Sequence, residues 1–129
     1  MTKILELHDS VILKLEQIDG DKVCIHLNPA VVYPNSSALP KSLETDDLSE
    51  ERQILITIES DQIPDNIPAL PCGIWNGGVQ APQVKYDNVI PIPFECDAKQ
   101  KLITLTLILM DDCPPITFVT SYLSIGLED

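Results

Sequence analysis

The amino-acid sequence predicts an all-β fold, an antiparallel β-sandwich or partly open barrel of about six to eight strands with at most one short helix. Three observations carry this. The first is Leu102–Met110, LITLTLILM, which contains no charge, no Gly and no Pro. At a period of two, Ile103, Leu105, Leu107 and Leu109 share a wholly apolar face, while Leu102, Thr104, Thr106, Ile108 and Met110 share a mixed one. Thr and Ile favour a pleated strand, and the run is shorter than most helices. The second is Asp19-Gly20-Asp21 between two alternating runs, the strongest short-range hairpin signal, because the central turn residues need positive φ. The third is that the remaining apolar residues alternate too, with no convincing amphipathic helix. An α+β fold is the alternative if the acidic stretch near Leu43–Gln53 is helical.

In chain order, Met1–Asp9 is a lead-in able to add a short strand through Ile4, Leu5 and Leu7. Ser10–Ile18 sets Val11, Leu13 and Leu15 on one face, and Lys22–Leu27 answers with Val23, Ile25 and Leu27, leaving Cys24 and His26 opposite. Asn28-Pro29 breaks or bulges this strand, and Ala30–Tyr33 resumes it as an edge. Pro34–Glu51 is a polar connection whose acidic end, Glu44–Glu51, has the composition of one helical turn. Arg52–Ser60 is a strand with Ile54, Ile56 and Ile58 on one face.

Asp61–Asn88 is rich in Pro and reads as an extended crossing over the surface, with Ile74–Val79 as a tight turn bearing Trp75 on its shoulder. In Val89–Glu95, Pro91 and Pro93 lack amides on the same side, which places that strand at a sheet edge. Asp97–Lys101 turns into Leu102–Met110. Ile116–Leu127 then pairs back onto it through the Asp111–Pro115 turn. The Leu102–Met110 strand is expected to be covered on both faces, each buried Leu or Ile contributing roughly 1.5–3 kcal/mol.

The 129 residues fit one domain, 1–129, with the Pro-rich surface segment at 61–88. Apolar residues make up 44% and aromatics 5%, so the core is aliphatic and there is little material for base stacking. A net charge of -12 and a single Arg, Arg52, argue against nucleic acid and anionic membranes, both of which need basic residues to displace counterions. No apolar run is long enough to span a bilayer, and the first ten residues lack the apolar core of a secretory signal, so the expected compartment is the cytoplasm. Thiols there stay reduced. Cys24, Cys72, Cys96 and Cys113 show no C-x-x-C spacing, so neither a redox pair nor a zinc knuckle is written.

Leu7-His8-Asp9-Ser10, followed by an alternating strand, a Gly turn and a second strand, resembles a type of small uncharacterised bacterial β-rich domain that opens with an LHDS sequence. The likeness spans roughly the first thirty residues. It implies a β-rich fold and transfers no functional residue.

Candidate chemistry is sparse. His8, Asp9 and Ser10 are catalytic types, but neighbours on a strand face opposite ways and cannot relay one proton, and no G-x-S-x-G elbow exists. The simpler reading is a turn before the first long strand, held for example by Asp9 on a backbone amide. His8, His26 and Cys24 would make a soft metal site only if the lead-in strand brought them together, and no ligand spacing defines one. Asp19 and Asp21 lack the rest of a calcium loop. No catalytic residue, metal site or cofactor is assigned. The candidate recognition residues are His8, His26, Trp75 and Asn76. Trp75 on its glycine turn is either an exposed anchor or, as the favoured expectation, a lid folded back on the core.

Three functional readings follow. The leading one is a non-enzymatic domain that binds a protein partner or its own copies as a homo-oligomer. It is motivated by the mixed face of LITLTLILM and by the proline-controlled edge. The second is a small-ligand-binding barrel or enzyme with a pocket near His8, His26 and Trp75. The third is an acidic inhibitor or immunity-type protein that presents Glu44–Glu51 to a basic target.

Overall fold

The computed structural model describes residues 3–33, 50–61, 63–100 and 102–128. They form β1 (Lys3–Glu6), β2 (Val11–Ile18), β3 (Lys22–Tyr33), β4 (Glu50–Glu59), β5 (Cys72–Gln80), β6 (Lys85–Asp87), β7 (Val89–Ile92), β8 (Phe94–Asp97), β9 (Ile103–Leu109), β10 (Ile116–Thr120) and β11 (Tyr122–Leu127). No helix occurs among the described residues. The fold is all-β, as expected: one antiparallel sheet of eleven strands, not closed into a barrel. Its main path runs β10-β9-β5-β2-β3-β4-β11-β8, with β1 between β3 and β7, and β6 on β5. The strand number exceeds the expected six to eight because bends divide long extended stretches into shorter strands.

Those bends are how the sheet encloses a core. Strands that switch partners turn the corners between packed layers. The chain leaves β10, paired to β9, at Thr120 and enters β11, paired to β4 and β8, at Tyr122. The buried parity flips there, from Ile116, Phe118 and Thr120 to Leu123 and Ile125. Thr120 satisfies the corner by donating its hydroxyl to the Glu59 carbonyl at 2.7 Å. The buried side chains form one cluster, almost wholly Leu, Ile and Val, with Phe118 its aromatic member.

The β2–β3 hairpin turns through Asp19 at φ 55° and Gly20 at φ 77°. One detail of its pairing differs from simple alternation. Ile12 faces Leu27 and Lys14 faces His26, so Leu13 is an extra residue in the ladder. This bulge brings Ile12 into the core and turns Leu13 out to 41% exposure. β3 has its own register shift between Leu27 and Ala30, where Asn28-Pro29 stands. Ala30–Tyr33 is not an edge, because β1 pairs with it on one side and β4 on the other.

The largest correction concerns 61–88. Residues 72–80 are not a surface crossing with a tight turn. They form β5, which meets β2 at Val11 and Ile12 and β9 along most of its length. The glycines that resemble turn signals permit close strand approach. A β-carbon at Gly77 would run into the Thr106 carbonyl, and one at Gly78 into that of Tyr86. Among the described residues, β7 and β8 each have a single ladder partner, β1 and β11 respectively, in keeping with the missing amides of Pro91 and Pro93. The polar connection at 34–49, and with it most of the acidic stretch expected to make a helical turn, lies outside the described residues. Glu50 and Glu51 open β4.

Candidate interaction face

β9 has β10 on one side and β5 on the other, and Ile103, Leu105, Leu107 and Leu109 are buried in the core. Its other face is not covered by any described residue, contrary to the expectation of a doubly covered strand. Leu102 is 52% exposed and Ile108 41%, with Thr104, Thr106 and Met110 partly exposed. The physical reason is that the sheet bends around a single core, so each strand has one inner face, and threonine hydroxyls on the outer face are solvated.

The outer face extends across the neighbouring strands. On β10, Val119 lies opposite Thr104 and is 53% exposed. On β5, Trp75 is 59% exposed, so it is not a lid on the core. It sits at a bulge between the Ile74–Leu109 and Asn76–Ile108 pairs. Trp75 and Ile108 line the same open groove, which continues along the turn to Cys113. A second shallow groove runs from Asn76 and Ile108 past Thr104 and Thr106 to Lys85, Tyr86 and Asp87 of β6. Neither β9 nor β10 contributes a charged residue, whereas Lys85, Asp87, Asp111 and Asp112 stand at the margins. An apolar centre with a polar rim is the anatomy of a protein-binding patch.

The LHDS stretch holds this face in place. Ser10 is fully buried. Its Oγ donates to the Glu6 carbonyl at 2.7 Å and accepts from the Val31 amide at 3.0 Å, linking the two ends of the β1–β2 turn to β3. Asp9 takes φ 70°, and its amide donates to the Ile74 carbonyl at 3.0 Å. The turn is therefore held by backbone groups and Ser10, not by the Asp9 side chain on an amide. His8 reaches further. Its backbone amide donates to Asn88 Oδ1 at 2.8 Å, and its Nδ1 lies 2.7 Å from the Trp75 carbonyl, which can only accept, so Nδ1 carries hydrogen. The imidazole stands edge-on to the indole, with ring centroids 5.0 Å apart. Asn76 Oδ1 accepts from the Gly77 amide at 2.7 Å and steadies the bulge. His8, Trp75 and Asn76 are thus one local unit, and His8 is a positioning residue for Trp75.

His26 belongs elsewhere. Its Nε2 is 3.1 Å from Glu16 and its Nδ1 3.2 Å from Glu128, so it clamps the C-terminal segment to the hairpin. Among the described residues, its hydrogen-bond partners are none of those of His8. Cys24 is buried and its thiol meets Thr57 at 3.8 Å. Among the described residues, no three His, Cys, Asp or Glu side chains gather as metal ligands. Burial pushes the Cys72 thiol above its ordinary range, and neighbouring Cys113 and Asp111 add to this, so it is not an activated nucleophile. Ser10 Oγ is committed to backbone groups and is unavailable to the His8 imidazole. No helix among the described residues is long and apolar enough to cross a membrane.

Sequence reasoning singled out Trp75, Asn76 and His8 but not Leu102, Ile108 and Val119 as individual surface residues. The available signal was the mixed face of β9, which shows its exposure only once the number of covering layers is known. No known family model, curated protein or solved structure matches the chain.

Proposed function

We propose that this protein is a non-enzymatic binding domain that acts through protein–protein contact or self-association, using the outer face of β5, β9 and β10. One observation carries this reading. Of the five strongly exposed large apolar side chains among the described residues, Trp75, Leu102, Ile108 and Val119 belong to this face and its flank, and only Leu13 lies elsewhere. Scattered apolar residues on a surface need no explanation, but a concentration of them around a Trp does. The indole is held by His8, so the entropy cost of ordering it on binding is reduced in advance. The four thiols are unpaired, which is in keeping with a cytoplasmic setting.

The small-ligand or enzyme reading required His8 and His26 to share a pocket with Trp75, and the two histidines have separate partners. The test of the proposal is site-specific photo-crosslinking in the cells that make the protein. A photoreactive residue at position 75 or 108 should give discrete adducts, while one at position 19, on the exposed hairpin tip, should give none. Equal labelling at all three positions, or none at 75 and 108, would overturn the proposal.

A further inference from the structure

We infer that the groove beside Trp75 binds an arginine side chain of a partner protein, its guanidinium stacked on the indole and paired with Asp111 or Asp112. This rests on reading the outer face as a docking surface and names the chemistry of its occupant. Trp75, Ile108 and Met110 give the groove an apolar wall, and Asp111 and Asp112 line it with them. Its volume, about 610 Å³, admits an arginine side chain and the residue beside it. The site lies where β5 and β9 meet. The Met110 amide donates to the Gly73 carbonyl at 3.1 Å, and the chain then reverses, with the Cys113 amide donating to the Met110 carbonyl at 3.5 Å. Asp111 and Asp112 take φ 63° and 58°, the consecutive positive values of a tight turn. The turn holds both carboxylates directly past the end of β9. Both residues are exposed, and among the described residues neither has a hydrogen-bond or ion-pair partner. The contact with His8 still leaves Trp75 59% exposed. Among the described residues, no Lys or Arg lines the groove.

Charge and shape together select the occupant. An exposed ion pair alone contributes little in water, and an indole alone accepts any flat apolar group. Side by side they favour a cation with apolar faces. A guanidinium is planar, stacks on an aromatic ring, and keeps its N–H donors in the plane, where a carboxylate accepts them. It is also more weakly hydrated than a lysine ammonium, so it gives up water more readily. Ile108, 41% exposed, can seat an apolar residue next to the arginine. The net charge of -12 adds long-range attraction for a basic partner. A second copy does not meet these terms. It carries the same net charge, and its one arginine, Arg52, is ion-paired with Glu50 at 3.6 Å.

The test uses the fluorescence of Trp75, the one Trp in the chain, during titration of the full chain with three blocked dipeptides. These are acetyl-Arg-Leu-amide, acetyl-Lys-Leu-amide and acetyl-citrulline-Leu-amide. Citrulline keeps the shape of arginine and loses its charge. The arginine peptide should give a saturable change with a dissociation constant on the order of 1 mM. The other two should bind at least ~10-fold more weakly. Asp111→Asn combined with Asp112→Asn keeps the side-chain size, and Asn tolerates positive φ. This double variant should also bind the arginine peptide about tenfold more weakly. Asp19→Asn combined with Asp21→Asn makes the same change in net charge at the hairpin tip and should stay within about twofold of the unaltered chain. Equal affinity for the arginine peptide and either of the others, or equal loss in the two double variants, would overturn the inference. The absence of a saturable change with the arginine peptide would overturn it too, while crosslinks at 75 or 108 would then leave the docking face to a partner of other chemistry. Selective binding of the arginine peptide without crosslinks at 75 or 108 in cells would keep the arginine site and remove the proposed docking role.

Discussion

The two faces of β9 differ by one residue in phase and by everything in environment. Ile103, Leu105, Leu107 and Leu109 are packed among side chains from both ends of the sheet, whereas Leu102, Thr104, Thr106 and Ile108 meet solvent. The residue types overlap, since Leu and Ile occur on both. What separates the faces is the single core around which the sheet bends. Apolar side chains on the inner face stabilise the fold. Those on the outer face contribute little to folding and are available for binding.

Breaking that contrast gives the largest expected effect. Leu105→Ala should cost about 2–5 kcal/mol in urea unfolding, through lost transfer energy and a residual cavity. Ile108→Ala, on the same strand, should stay within about 0.5 kcal/mol. Next is Ser10→Ala, which leaves the Val31 amide and the Glu6 carbonyl without their partner in a buried site. A loss of about 2–3 kcal/mol in the same measurement is expected. Gly77→Ala sets a methyl against the Thr106 carbonyl and must push β5 from β9, costing about 1–3 kcal/mol and disturbing the outer face from within the sheet.

Two smaller effects sharpen the comparison. His8→Ala removes the support of an exposed anchor and should cost only about 1 kcal/mol. Fluorescence of Trp75, the one Trp in the chain, should show lower anisotropy and faster acrylamide quenching. A merely structural His8 would leave both unchanged. The smallest effect is at Tyr122, whose hydroxyl donates to Glu95 at 2.6 Å. That bond, reinforced by burial and by the charges of Glu95 and Asp97, raises the phenol above its ordinary value of 10.0 in spite of an opposing contact from Ser124. Its folded value therefore lies above its unfolded one. The contribution is complete below the ordinary tyrosine range and is lost as pH rises through the raised value. Tyr122→Phe should cost less than about 0.5 kcal/mol at neutral pH, because water screens the pair, and should flatten the decline in stability above about pH 10.

Much of the architecture was legible because its signals are local. The Asp19-Gly20 turn needs positive φ, Ile54, Ile56 and Ile58 keep strict parity, and the run at β9 holds nothing that stops a strand. β5 was not legible. Its Asn76-Gly77-Gly78 looks like a turn, yet these glycines answer to the backbones of β9 and β6, which are distant in sequence. The bulge at Leu13 and the parity flip at Ser121 are likewise set by partners. At the candidate site, His8, Trp75 and Asn76 do form a unit, while His26 shared interest with His8 only through residue type. Leu102, Ile108 and Val119 could not be told from core residues, because period-two alternation separates two faces without saying which of them another layer covers.

The most direct test of the docking face is hydroxyl-radical footprinting of the protein inside cells, compared with the purified chain at high dilution. Leu13, as exposed as Ile108 but outside β5, β9 and β10, is the internal reference. Trp75, Leu102, Ile108 and Val119 should be oxidised readily in the dilute sample and protected in cells, with Leu13 unchanged. Equal oxidation of all five in both settings would contradict the assignment of this face to binding.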